Sequence, residues 1–177
     1  MPAVRAWRAP VVIALAVIAV DQLTKHWAVT SLGTDREIDL FWTLRLNLGF
    51  NNGMAFGQGQ GFGPVIAVIA TVVIVYLLVS LRTETTPMST LGMGLLIGGA
   101  AGNLSDRLFR GDDGFLQGAV VDFIDLQWFP IFNIADMAIN IGAALLILNS
   151  ILGARAHRHD DSDNAHVTAT DDVGDVA

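Results

Sequence analysis

The chain has 177 residues, of which 53% are hydrophobic and only 15% charged, and its mean hydropathy is +0.53; soluble domains carry about 25% charged residues, so a membrane protein is expected. The formal charge of −7 gathers in Asp160, Asp161, Asp163, Asp171, Asp172 and Asp175 near the C-terminus, and without a basic stripe or nucleic-acid motif no binding to DNA or RNA is expected. The absence of cysteine excludes disulfides and thiol catalysis, and His26, His157, His159 and His166 offer no spaced pair on a predicted buried helix for a zinc ion, so neither metal nor cofactor is expected.

A hydrocarbon core takes about 20 mostly apolar residues in a helix. The first such run extends from about Pro10 to Val29. Arg5 and Arg8 ahead of the apolar stretch Val11 to Val20 also fit a secretory signal. Against that reading, no small-residue cleavage site follows, and Asp21, Gln22 and Lys25 continue in helical register, as in a retained anchor. The connection from Ser31 to Gly63 is too long for a simple turn. Within it, Glu37 to Asn47 alternates polar with apolar residues and predicts one or two strands, while Phe41 and Trp42 suit a membrane surface. Gly57, Gly59, Gly61 and Gly63 form a flexible loop before the second span, about Pro64 to Leu81. The third span, about Met88 to Phe109, carries Gly94, Gly98 and Gly102 at four-residue intervals, a stripe for close helix packing. The connection Arg110 to Ile131 contains a β-like run, Ala119 to Leu126, so a small extracytoplasmic β-cradle over the helices is predicted. The fourth span runs from about Phe132 to Leu152.

Residues 1–153 therefore read as one mainly α membrane domain of four transmembrane helices, and 154–177 as a disordered acidic tail with little to bury. Arg5 and Arg8 before the first span, Arg82 after the second, and Arg155 and Arg158 after the fourth share one side. Positive charge marks the cytoplasmic face, which puts both termini in the cytoplasm.

Charged groups in a spanning helix cost about 2.5 to 3.5 kcal/mol each on insertion scales, so each calls for a partner or a function. Asp21 and Lys25 lie four apart with the acid first, the favourable order for a helical ion pair. Asp106 and Arg107 end the third helix with Asn103 on the same face, where a capping or interhelix role accounts for them. Asn133, Asp136 and Asn140 form one polar stripe on an otherwise apolar helix, and Asp136 in its first turn benefits from the positive helix end. Asp122 lies among apolar residues just ahead of that helix. Two facing carboxylates share a proton, one acting as acid and the other as base. Such a pair activates water against a peptide bond. From the residues alone, Asp125 competes with Asp122 for that role, and a proton-coupled or ion-coupled transporter or a non-catalytic membrane scaffold remains a rival reading.

Five segments in order resemble the lipoprotein signal peptidase family, also called signal peptidase II. They are Asp21-Gln22-Leu23-Thr24-Lys25; Asn51-Asn52-Gly53-Met54-Ala55-Phe56; Gly98 through Leu108; Val120-Val121-Asp122; and Phe132-Asn133-Ile134-Ala135-Asp136. The likeness covers roughly Val11 to Leu152. It departs in the acidic loop Gly111 to Gly118, with Asp112 and Asp113, and in the tail. The resemblance implies an aspartyl endopeptidase whose catalytic pair is Asp122 and Asp136, with Asp21, Lys25, Asn51, Gly53, Ala55, Asn103, Arg107, Asn133 and Ala135 shaping the site or holding substrate. Its implied partners are membrane lipid and diacylglyceryl-modified prolipoproteins, cut on the amino side of the lipidated cysteine. The implied setting is a bacterial inner membrane, with a monomer active near the extracytoplasmic face and the segment Asn51 to Gly63 as a flap.

Overall fold

The computed structural model describes residues 7–33, 36–53, 62–81, 86–111 and 116–171, with side chains described as far as residue 156. Arg5, Ala55, the loop glycines Gly57, Gly59 and Gly61, Arg82, Asp112, Asp113, Asp172 and Asp175 lie outside the described residues, as do the side chains of His157, His159 and His166.

Four helices carry the chain: α1 (Arg8–Ser31), α2 (Gly63–Ser80), α3 (Pro87–Phe109) and α4 (Ile134–Asp171). Each begins within two residues of its predicted span. Proline in the first turn opens both α2 and α3, where its missing N–H costs nothing, and the Thr86 side chain caps α3 by accepting from the Ser89 amide at 3.1 Å. α2 is aliphatic on all sides and leaves Val65, Val68, Ile69, Val72, Val75 and Val79 exposed, the pattern of a helix surrounded by hydrocarbon.

Among the described residues, Arg8–Ser31, Gly63–Ser80 and Ile134–Ala156 are long and apolar enough to cross a membrane. α3, predicted as the third of four spans, falls short of that hydropathy. The reason lies in its neighbours: α3 packs against α1, α2 and α4 alike, so its glycines and polar groups face protein. A Cβ on Gly94 would lie 2.7 Å from that of Ile13, and one on Gly98 would lie 2.7 Å from that of Val17. The glycine stripe is thus the seam that admits α1. Ala14, Leu77, Leu81, Met93 and Ile97 form the core where α1, α2 and α3 meet.

The three strands, β1 (Ile38–Phe41), β2 (Leu44–Asn51) and β3 (Val120–Asp125), form one antiparallel sheet in that order. Both predicted β segments are present. Arg45 lies opposite Asp125 and Gly49 opposite Asp122, with an irregularity between Leu46 and Gly49. Phe123 joins Ala28 and Leu32 in a second buried cluster, with Ile38, Leu46, Leu48, Ile124 and Ile134 around it. This cluster fixes the sheet on the ends of α1 and α4. Phe132, expected in the fourth span, instead bridges back to Ile124, which delays the start of α4 to Ile134.

At its far end the helical backbone of α4 continues to Asp171, past the predicted end of the fourth span at about Leu152. Residues 151–156 are exposed. The extension carries no packing there; once a helix is nucleated, adding residues to it is far easier than starting one.

Candidate active site

The fully buried Lys25 ammonium is the centre of the polar interior. It meets Asp21 Oδ2 at 2.9 Å and Asp106 Oδ2 at 2.8 Å, and donates to Asn103 Oδ1 at 2.9 Å. Three acceptors match its three protons. The two carboxylates reach further. Asp21 Oδ1 accepts the Ala135 amide of α4 at 2.9 Å, and Asp106 Oδ2 accepts the Val121 amide of β3 at 3.3 Å. Gln22 Nε2 spans both acids, and Arg110 Nε meets Asp106 Oδ1 at 2.7 Å. One ion cluster between α1 and α3 therefore anchors the start of α4 and the middle of β3, the two elements that carry Asp136 and Asp122. A Cβ on Gly102 would lie 2.6 Å from Asp21 Oδ2, so only glycine lets α3 approach this carboxylate.

Asn133 ties the two candidate acids together. Its side-chain oxygen accepts the Asp136 amide at 2.9 Å, while Asp136 Oδ2 accepts the Asn133 amide at 3.3 Å; this reciprocal cap closes the first turn of α4. Its Nδ2 donates to Asp122 Oδ1 at 2.6 Å and to Asn103 Oδ1 at 3.2 Å. Asn103 Nδ2 donates in turn to Asp136 Oδ1 at 2.8 Å, and Asn51 Nδ2 to Asp122 Oδ2 at 3.3 Å. Each acid thus receives two N–H donors from groups themselves held by the ion cluster or the sheet. Burial, and then the charge of Asp136, push the Asp122 carboxyl up to about 7, against the lowering effect of its bonds from Asn133 and Asn51. Asp136 itself is partly exposed and is reachable from outside.

Asp125 is no rival here. Three residues along a strand reverse the face, and Asp125 turns from Asp122 to accept Arg45 Nε at 2.7 Å and Asn47 Nδ2 at 3.3 Å. Burial would raise its carboxyl, but the Arg45, Gln127 and Asn47 donors hold it below the ordinary value. Asn140 remains outside the group, bonded to the Asp136 carbonyl on the exposed side of α4.

Arg107 is 7% exposed, with long bonds of 3.4 Å to the Asn103 and Gly53 carbonyls, and its Nε has no hydrogen-bond partner among the described residues. Gly53 N donates to Asn51 Oδ1 at 3.0 Å, which brings the start of the flap segment beside Asp122. Asp21, Lys25 and Ala135 are 0% exposed and belong to the ion cluster behind the carboxylate pair. Ala55 lies outside the described residues. Sequence reasoning assigned no role to Gln22, Arg110 or Gly99, although Gly99, Gly102, Asn103, Asp106 and Arg110 share helical spacings of three and four, the signal that would have grouped them. Among the described residues, no three His, Cys, Asp or Glu side chains gather as a metal-ligand set.

Apolar helices roofed by a small sheet, with two carboxylates held by shared amides at their junction, define a membrane protein equipped for acid–base chemistry. The family model described as signal peptidase (SPase) II matches residues 13–152. A lipoprotein signal peptidase of Rhodococcus jostii is 41% identical over 143 residues, covering 80% of this chain and 72% of that protein. One from Mycobacterium tuberculosis is 39% identical over 142 residues, covering 80% and 70%. A bacterial membrane enzyme structure obtained by the in meso method at 2.3 Å resolution superposes with a TM-score of 0.73 at 29% identity, over 82% of this chain and 88% of that one. The chain belongs to the signal peptidase II family of membrane aspartic proteases.

Proposed function

We propose that this protein removes signal peptides from diacylglyceryl-modified prolipoproteins, hydrolysing the bond on the amino side of the lipid-bearing cysteine, with Asp122 and Asp136 as the acid–base pair. The observation that carries the assignment is the double engagement of Asn133, one residue bonded to both carboxylates. Burial and the neighbouring Asp136 raise the Asp122 carboxyl to about 7, which supports Asp122 as the acid of the pair, with the partly exposed Asp136 as the base. Asp136 then takes a proton from water while the Asp122 proton goes to the scissile carbonyl oxygen as the water oxygen bonds to its carbon. Collapse of the tetrahedral intermediate returns that proton to Asp122, and Asp136 passes its own to the departing amine. The pair ends as it began, and one water has been consumed. The Arg107 guanidinium, whose buried Nε has no hydrogen-bond partner among the described residues, is assigned to a substrate carbonyl or lipid headgroup oxygen, and an Arg107→Ala enzyme with unchanged kinetics would remove that role.

In this reading all four helices cross the bacterial inner membrane, α3 being screened from lipid by the other three, with both termini cytoplasmic and the pair near the extracytoplasmic face. Exposed Arg155, within α4 but past the apolar stretch that ends at about Leu152, and Arg8 at the start of α1 support that orientation. The enzyme acts as a monomer. Each acyl methylene of the substrate gains about 0.8 kcal/mol in the bilayer, which holds the scissile bond at the surface where the pair lies.

Cleavage of a diacylglyceryl-modified precursor in micelles tests the proposal, comparing wild type, Asp122→Asn and Asp136→Asn, each checked for folding, alongside the unlipidated precursor. Only the wild type should cut, and only the lipidated form. A folded wild type that cuts nothing would return the transporter and scaffold readings.

A further inference from the structure

Asp125, which the carboxylate pair does not use, is 4% exposed and bonded on both oxygens. Its Oδ2 holds Arg45 and Asn47 of β2, and its Oδ1 accepts the Gln127 amide at 2.6 Å. The carboxylate therefore clasps the start of β2 to the turn that follows β3. In the antiparallel register, Phe41 lies opposite Leu44, and Arg45 opposite Asp125. The β1–β2 turn and the turn after β3 accordingly emerge at the same end of the sheet.

Both turns carry aromatic side chains outward. Phe41 is 79% exposed, Trp42 89%, Trp128 71% and Phe129 48%. Both are also bent through left-handed backbone at non-glycine residues, Trp42 at φ 52° and Gln127 at φ 67°, a conformation that L side chains adopt at a cost. A tryptophan so placed gains little from its own chain. Indole and phenyl rings partition to the boundary between headgroups and hydrocarbon, and this patch runs into the apolar helix surfaces. Trp128 meets Phe129 edge-on at 6.0 Å and Phe129 meets Phe132 at 5.9 Å, just ahead of α4, while Phe123 stands edge-on to Trp27 of α1 at 6.5 Å.

We infer that Phe41, Trp42, Trp128 and Phe129, clasped by Asp125, form a two-pronged anchor that inserts into the lipid interface beside the helices and fixes the height of the sheet over the bilayer. The occupant of this face is the lipid surface. The inference rests on the reading of the helices as membrane spans, but its test needs no peptidase activity, so failure of cleavage and failure of the anchor are separately visible.

The full chain carrying Trp7→Phe and Trp27→Phe, which leaves Trp42 and Trp128 as the only indoles, is reconstituted in phosphatidylcholine vesicles with bromine placed either near the headgroup end or near the methyl end of the acyl chains. Headgroup-end bromine should quench at least about twofold more strongly than methyl-end bromine, as interfacial aromatics require. Two results overturn the anchor: indoles insensitive to bromine and open to aqueous acrylamide face water, and indoles shielded from both quenchers are covered by a second copy. In the same background Asp125→Asn should lose about half of the shallow quenching, since Trp128 loses its clasp while Trp42 keeps its hairpin. Arg45→Gln probes the clasp from its other side should Asp125→Asn fail to fold. Full quenching in a folded clasp variant would overturn the role of Asp125.

Discussion

Replacing Lys25 by Met removes the one cation among the described residues that touches both Asp21 and Asp106, with all three side chains 0% exposed. Asp106 keeps Arg110, Gln22 and the Val121 amide, and Asp21 keeps the Ala135 amide and Gln22, but the cluster is left one positive charge short. Removing one partner of a buried ion pair costs about 3 to 5 kcal/mol. For a chain of this size that corresponds to a fall in unfolding temperature of roughly 6 to 20 °C. The damage is directional, because the network holds β3 through Val121 and α4 through Ala135. Cleavage measured well below the unfolding temperature should therefore also fall, through kcat more than KM. The control is the charge-balanced Lys25→Met, Asp106→Asn pair. It leaves Asp21 against Arg110 in formal charge and should be more stable than the sum of its single variants by at least about 1 kcal/mol, as expected for residues in one network. Unfolding followed by circular dichroism in micelles reads both quantities. A Lys25→Met protein that unfolds within about 2 °C of wild type, less than 1 kcal/mol, would refute the cluster as the support of the site.

Gly99→Ala places a Cβ 2.5 Å from the Ala135 carbonyl and 2.8 Å from Ile139 Cγ1; overpacking of this kind costs about 1 to 3 kcal/mol. By displacing the turn that carries Asp136 it should also lower kcat, whereas Gly153→Ala, with nothing within 4 Å of its Cβ, should leave kcat unchanged and raise stability by about 0.5–1 kcal/mol through helix propensity. The rate should respond to pH in one direction. A carboxyl raised to about 7 on Asp122 keeps its proton below that pH and loses it above, so kcat/KM should fall about tenfold per unit on the alkaline limb; a flat profile through pH 8.5 or so would place the proton elsewhere. Trp42→Gly relieves a left-handed tryptophan at φ 52° and should raise the unfolding temperature in detergent by the equivalent of about 1 kcal/mol. A loss of stability would mean that the indole's contacts, with its own chain or with the detergent interface, outweigh the backbone strain.

Much of this arrangement was legible in the residues themselves. Helix starts, both strand segments and the Asp21 to Lys25 pair follow from local spacing, since hydropathy runs, alternation and the four-residue repeat are properties of the chain alone. The opposite facing of Asp122 and Asp125 is also a property of the strand period. Chemistry in order along the chain, from Asp21 to Asp136, was enough for the family resemblance that the comparisons bear out.

Tertiary structure decided the rest, because those facts concern groups distant in sequence. Lys25 bonds Asp106 as well as Asp21, Asn133 engages both acids, and α3 lies between three helices; each depends on how helices cross, which spacing within one helix does not encode. The weak hydropathy of α3 shows the division most plainly. Its sequence supplied glycines and polar groups that lipid would penalise. Packing against α1, α2 and α4 surrounds those groups with the backbones of α1 and α4 and the ion cluster of Lys25, which makes a helix of weak hydropathy the support of the site.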